Sequence, residues 1–140
     1  MINKIRIEIP IEPTGQMRPR ATVRGRHAMV YKAKKQATRE AQIIPYLIEQ
    51  RPNDAPWEGP IAMDFTANMI IPKSYSKTKR RDCISGKYCH TKKPDLSNMI
   101  KQIEDCANGI LWLDDSQICS RTENKQFSES PGWVIEVWRV

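Results

Sequence analysis

Ile5, Ile7 and Ile9 alternate with Arg6 and Glu8, the period-two rhythm of a strand with one face in a core. Pro10 and Pro13 end that strand. From Thr14 to His27 the chain is rich in Gly, Pro and Arg, with Arg18, Arg20, Arg24 and Arg26 at even spacing around Ala21-Thr22-Val23. An extended backbone turns such residues toward one side, so this stretch reads as a basic loop. In Lys32 to Gln50, Ala33, Ala37, Ala41, Ile44 and Ile48 recur at helical spacing, which predicts a helix kinked or divided at Pro45. Residues 51 to 60 read as a connection. Met63, Phe65, Ala67, Met69 and Ile71 then alternate with Asp64, Thr66 and Asn68, predicting a second strand that Pro72 closes. Lys73 to Lys93 shows no apolar periodicity and reads as a long, mobile, exposed loop, of a length that usually carries function in a compact domain.

A second helix is expected from Asp95, placed at the N-cap, with Leu96, Met99, Ile100, Ile103, Cys106 and Ala107 as its apolar stripe and Asn108-Gly109 as its stop. Ile110, Leu111 and Trp112 re-enter the core, Asp114-Asp115-Ser116 forms a turn, and Gln117 to Lys125 and Trp133 to Val140 read as closing strands. Ser128 to Gly132 is expected to be their hairpin connection. The predicted class is α+β, a small mixed sheet with two main helices packed on it, in one domain spanning 1–140.

Composition narrows the function. The chain has 140 residues, 39% of them hydrophobic, enough for one modest core. No apolar run approaches the roughly 20 residues of a bilayer span, and the N-terminus shows no secretory pattern, so a soluble cytoplasmic protein with no membrane partner is expected. Cys83, Cys89, Cys106 and Cys119 then read as reduced thiols; the spacing of Cys83 and Cys89-His90 does not match a zinc ribbon or finger. The net charge of +7 is unevenly distributed. Residues 1 to 43 carry ten Lys/Arg against three acids and residues 72 to 93 eight against one, while the last third is acidic. Basic stretches attract a polyanion, and acids beside a polyanion repel it unless a cation sits between them.

Asp95 and Asp114-Asp115 are the acids of interest. An extended 110–115 segment spans roughly 20 Å, the length of the preceding helix, so the chain has the reach to bring them together. Ser97, Lys101 and Glu104 share one helix face, and Lys101 has the reach to lean back toward Asp95. Two or three carboxylates beside a lysine, flanked by basic segments, suit phosphodiester chemistry with Mg²⁺ or Mn²⁺. The same residues also have ordinary explanations: Asp95 as an N-cap, Asp114-Asp115 as a turn, Lys101 with Asp105 as an i, i+4 pair. The residues alone leave both readings open.

The run Lys93-Pro94-Asp95-Leu96-Ser97-Asn98-Met99-Ile100-Lys101, then Asp105, Asn108-Gly109 and Trp112-Leu113-Asp114-Asp115-Ser116-Gln117-Ile118, resembles the RusA family of Holliday junction resolvases. That family's pattern is K-P-D-x-D-N-x-x-K, a helix, and D-D-x-Q-[IV]. Weaker echoes are Arg18-Pro19-Arg20, Tyr31 before a helix, and His90-Thr91-Lys92-Lys93. The resemblance implies a small homodimeric, Mg²⁺-dependent endonuclease, with Mn²⁺ as an alternative, that binds four-way DNA junctions and makes paired nicks in recombination and repair. Many such enzymes are encoded by phages and prophages. Its catalytic aspartates fall on Asp95, position 97 and Asp115, its lysine on Lys101, and Asp114 matches the neighbouring acid. Position 97 departs from the pattern. Ser97 offers a neutral, weaker ligand beside Asp95 and Asp115, and Asp105 or Asp64 are alternatives for the missing carboxylate. DNA contacts are expected from Arg18, Arg20, Arg24, Arg26, Lys73, Lys77, Lys79, Arg80, Arg81, Lys92, Lys93 and Asn98. Two rivals stand beside this expectation: a junction-binding protein of the same fold that Ser97 has made inactive, and a basic RNA-binding or assembly protein.

Overall fold

The computed structural model describes residues 3–16, 20–24, 27–31 and 34–140, and the side chains of 3–16 and 34–140. Strand β1 (Lys4–Ile9) buries Ile7 and Ile9 and leaves Lys4 and Glu8 outside, as its alternation requires. After it, β2 (Arg20–Arg24) and β3 (His27–Tyr31) form an antiparallel hairpin, a separate two-stranded sheet where a basic loop was expected. Ala21-Thr22-Val23 and His27 to Tyr31 supply the β-branched and aromatic residues that favour such pairing. Arg20 and Arg24 lie on β2, whereas Arg18 and Arg26 are outside the described residues.

Helix α1 (Lys34–Gln50) is one element that contains Pro45 rather than two halves. Its inner face also differs from the expected alanine stripe: Gln36, Ile43 and Leu47 are buried, while Ala37, Ala41 and Ile48 are exposed. The reason is polar. Gln36 Oε1 accepts from Gln102 Nε2 at 3.4 Å, and Gln102 Oε1 accepts from Thr14 Oγ1 at 3.1 Å, so a buried amide ladder fixes the rotation of α1.

Strand β4 (Ile61–Ile70) turns Ile61, Met63, Phe65, Ala67 and Met69 inward. The stretch expected to be a loop from Lys73 to Lys93 contains helix α2 (Lys77–Ser85). Ser76 caps it by accepting from the Lys79 backbone N–H, and Gly86, with φ 84°, ends it in the left-handed conformation. Helix α3 (Leu96–Ala107) packs the predicted stripe, with Met99, Ile100, Ile103, Cys106 and Ala107 all buried. Residues 109–111 then form a tight turn instead of the expected extended return, with Gly109 N–H on Trp112 O and Leu111 N–H on Ala107 O.

The last strands are β5 (Ile118–Ser128) and β6 (Gly132–Arg139). The main sheet has the order β1-β6-β4-β5, with β5 parallel to β4 and β6 antiparallel to β4 and β1. Residues 128 to 132 therefore cross the end of β4 and are not a hairpin. Gly132 makes this crossing feasible: its φ is 158°, and a Cβ there would lie 2.5 Å from Ile9 O. Helices α1 and α3 cover one face of the sheet. The opposite face is polar, carrying Arg6, Asp64, Thr66, Asn68, Gln126 and Glu136. All four cysteines are free, Cys83 and Cys106 in the core and Cys89 and Cys119 exposed. No helix among the described residues is long and apolar enough to cross a membrane.

Candidate active site

The Asp114-Asp115 turn is built by one side chain. Gln117 Oε1 accepts from the backbone N–H groups of Leu113 (2.8 Å) and Asp114 (2.9 Å). Its Nε2 donates to Trp57 O (2.8 Å) and Gly59 O (2.9 Å), tying the turn to the 57–59 loop. Asp114 caps the short 3₁₀ turn Asp115–Gln117, accepting from the Ser116 N–H at 3.1 Å, and hydrogen bonding from the Ser116 side chain and then its backbone holds the carboxyl below the usual range. The floor beneath is Trp112, fully buried with its Nε1–H on Asn108 Oδ1 at 2.7 Å.

From this turn β5, rather than residues 110 to 115, runs back along α3. Arg121 of β5 pairs with Glu104 near the C-terminal end of the helix, and Lys125 donates to Lys92 O (2.9 Å) and Pro94 O (3.2 Å) near its start. Asp115 therefore approaches α3 near the C-terminal end of the helix. It lies against Glu104 and acts electrostatically on Lys101. Asp95 is nine residues above Glu104, roughly 14 Å along the axis at 1.5 Å per residue. Among the described residues no group of three His, Cys, Asp or Glu side chains converges as a metal cage.

Each expected residue has a defined place. Asp95 is the N-cap of α3 by position, with an extended backbone, but its carboxylate makes no capping hydrogen bond. It opens into a cleft of about 660 Å³ with Glu12, Arg39, Lys93 and Asn98. The loop carrying Gly15 passes close by: Gln16 N–H donates to Asn98 O, Arg39 to Gly15 O, and a Cβ on Gly15 would sit 3.0 Å from Pro94 Cβ. Ser97 is exposed on the first turn of α3. Lys101 does not lean back toward Asp95. It pairs forward with Asp105 at 3.2 Å, and that hydrogen bond raises its pKa, with the further negative charges of Asp115 and Glu104 acting in the same direction. Asp105 also accepts from Gln16 Nε2. Asp64 lies on the polar outer face of the sheet, away from this groove.

Sequence reasoning missed the residue between Asp115 and Lys101. Glu104 is buried, its side chain 9% exposed, and burial pushes its carboxyl up, opposed by Arg121 and reinforced by the charge of Asp115. Its signal was present in the Ser97, Lys101, Glu104 spacing on one helix face.

The chain agrees with the description Endodeoxyribonuclease RusA over residues 10–138. It belongs to the RusA endodeoxyribonuclease family. Membership makes it a nuclease by class, a DNA-binding hydrolase of phosphodiester bonds among the Holliday junction resolvases of recombination. The uncharacterized protein YqaN of Bacillus subtilis (strain 168) is 32% identical over 132 residues, 92% of each chain. RusA enzymes use divalent metal ions, and the donors of the α3–β5 groove are carboxylate oxygens, the hard ligands such ions prefer. A pair of carboxylates with waters and substrate phosphate suffices for such a cation, so the donor set fits without a protein cage.

Beside the groove, the basic segment is anchored by aromatics. Phe127 of β5 meets Tyr88 in a stacked contact (6.0 Å between centroids), Tyr75 edge-on (6.2 Å) and His90 (4.9 Å). Lys79 lies over both tyrosine rings, at 4.0 and 4.7 Å. Burial first, then the charges of Lys125 and Lys92, push His90 below its ordinary value. A histidine with a lowered folded value contributes stability above its unfolded pKa and loses it as pH falls through the folded one. Between about pH 7.5 and 5.5 the wild type is therefore expected to lose more thermal stability than His90→Leu. Parallel pH profiles of the two melting temperatures would contradict that assignment.

Proposed function

We propose that this RusA enzyme is a Mg²⁺-dependent, structure-selective endonuclease that resolves four-way DNA junctions by paired nicks, acting in the cytoplasm of a bacterial host. Mn²⁺ is expected to substitute. The observation that supports this most is the Asp115 turn, locked by Gln117 and set near Lys101 and Glu104 in a chain that carries two strongly basic segments. Carboxylates of this turn would hold the cation, which would supply a lowered pKa to a bound water and neutralise charge developing on the phosphoryl group.

The residues carry the rest. Asp115 and Asp95 provide carboxylates at two points along α3, with Asp114 beside the first and the Ser97 hydroxyl near the second. Lys101, once drawn from Asp105 by a phosphate, steadies the departing oxygen. Lys93 and Asn98 border the Asp95 cleft with Lys92 next to them in the chain, and Lys73 with Lys77, Lys79, Arg80 and Arg81 of α2 extends the positive surface. Arg20 and Arg24 lie on β2, and together with Arg18 and Arg26, which are outside the described residues, they are assigned to the DNA backbone. A homodimer places one groove on each of two opposing strands, matching the two-fold symmetry of a junction. The test is purified protein on a labelled mobile junction, with Mg²⁺ and with chelator. Paired nicks that require metal support the proposal; a junction bound equally well in both conditions and never cut would favour a non-cleaving binding protein, the reading that Ser97 recommends.

The basic helix yields a further expectation. Replacing Lys73, Lys77 and Arg81 by Ala removes three exposed charges while sparing Lys79, which is pinned to the aromatics. Each lost phosphate contact removes about 0.9 from the log-log salt slope, so the triple variant is expected to bind junctions more weakly with a slope lower by up to ~2.7. An unchanged slope would mean that the helix is merely solvated.

A further inference from the structure

Glu104 stands apart from the other carboxylates of the groove because it is buried, and a buried charge is costly without a partner. Its partner is Arg121, reaching across from β5. The same guanidinium is held on its other side by Glu123, whose Oε1 accepts from Arg121 Nε at 2.9 Å. A cation already sits between an acid of α3 and an acid of β5, and Asp115 is near enough to Glu104 to act on its carboxyl electrostatically. Lys101 lies one turn up the same helix face.

Ser97, by contrast, is exposed and two turns from Glu104, roughly 10 Å along the axis. No single ion spans that separation with ordinary metal–oxygen distances of about 2.0 to 2.6 Å.

Resting on the nuclease reading above, we propose that Glu104 and Asp115 form the carboxylate pair that binds the divalent cation in this chain, supplying what Ser97 lacks, and that Arg121 holds the place while the cation is absent. When the ion takes Glu104, Arg121 stays tethered through Glu123. The ion and the guanidinium then compete for one carboxylate. The ordinary alternative is a permanent bridge that fastens α3 to β5.

The experiment is a titration of the full-length protein with Mn²⁺ alone, followed by the electron paramagnetic resonance signal of free Mn²⁺, with circular dichroism as the check of fold. Glu104→Gln is expected to weaken Mn²⁺ binding at least tenfold. Arg121→Gln is expected to tighten it about threefold or more, because the competitor is gone. The double variant Glu104→Gln/Arg121→Gln leaves no unpaired buried charge and keeps the measurement possible where a single variant loses its fold; it too is expected to bind at least tenfold more weakly than wild type. Mn²⁺ affinity equal to wild type in the double variant, or an Arg121→Gln protein that is folded and no tighter, overturns the proposal. If the wild type still cuts junctions in that case, the Glu104 assignment fails and the nuclease reading stands. A wild type that neither binds Mn²⁺ nor cleaves overturns both.

Discussion

Asp115→Asn is expected to lower junction cleavage at least a thousandfold while junction binding, measured in chelator, stays equal or tightens. Asn keeps the shape of Asp and removes only the negative charge. The carboxylate is proposed to hold a cation that stabilises charge in the transition state, an effect of several kcal/mol, and ~4 kcal/mol corresponds to roughly a thousandfold in rate. In the absence of metal the same carboxylate faces the phosphates that the basic segments attract, so its loss relieves repulsion rather than removing a contact. Opposite signs on cleavage and on metal-free binding separate a chemical role from a structural one: a variant that had merely lost the turn would lose both. Cleavage at the wild-type rate by Asp115→Asn would remove this residue from the mechanism.

The two halves of the site were unequally legible in the sequence. Helix α3 announces itself because Met99, Ile100, Ile103, Cys106 and Ala107 fall on one stripe and all enter the core. Strand β4 does so by clean alternation. Helix α2 is hidden because Cys83 is its one buried residue; what anchors it is Tyr75, Tyr88 and Phe127, none of which belongs to the helix. The inner face of α1 is hidden for the converse reason. Gln36 is buried against Gln102, and a buried amide breaks the equation of apolar with inside.

Long-range pairing was the other gap. Two strands separated by three residues look like a hairpin, and nothing local in the chain reveals that β6 pairs with β4 on one side and β5 on the other. That crossing decides the site. Because β5 lies parallel to β4 and runs back beside α3, Asp115 arrives at Glu104, whereas an extended return of residues 110 to 115 would have carried it to Asp95. The motif spacing singled out the candidates other than Glu104, and the sheet order determines which of them lie near one another.

Gln117→Ala is expected to cost about 2 kcal/mol of stability and to reduce cleavage about a hundredfold. Four hydrogen bonds converge on this amide, two accepted from Leu113 and Asp114 and two donated to Trp57 and Gly59. A typical hydrogen bond contributes ~0.5–1.5 kcal/mol net, and three of these four are exposed enough for water to replace them, which places the sum near the lower end of ~2–6 kcal/mol. For a chain of this size that is a fall in melting temperature of about 6–8 °C. The catalytic loss follows from position rather than chemistry: Gln117 reaches Asp114 only through the backbone and touches none of the proposed ligand carboxylates, yet it sets the turn that presents Asp115, and a shift of about 1 Å in a reacting group is enough for a hundredfold loss. Gln117→Glu sharpens the test. It preserves the length of the side chain and the oxygen that receives Leu113 and Asp114, but it turns a second oxygen, with no proton to donate at neutral pH, toward the two carbonyls of Trp57 and Gly59. Glutamate is therefore expected to restore little or none of what alanine loses. Full stability and activity in Gln117→Glu would show that only the acceptor half of the amide matters and that the tether to the Trp57 loop does not position the site.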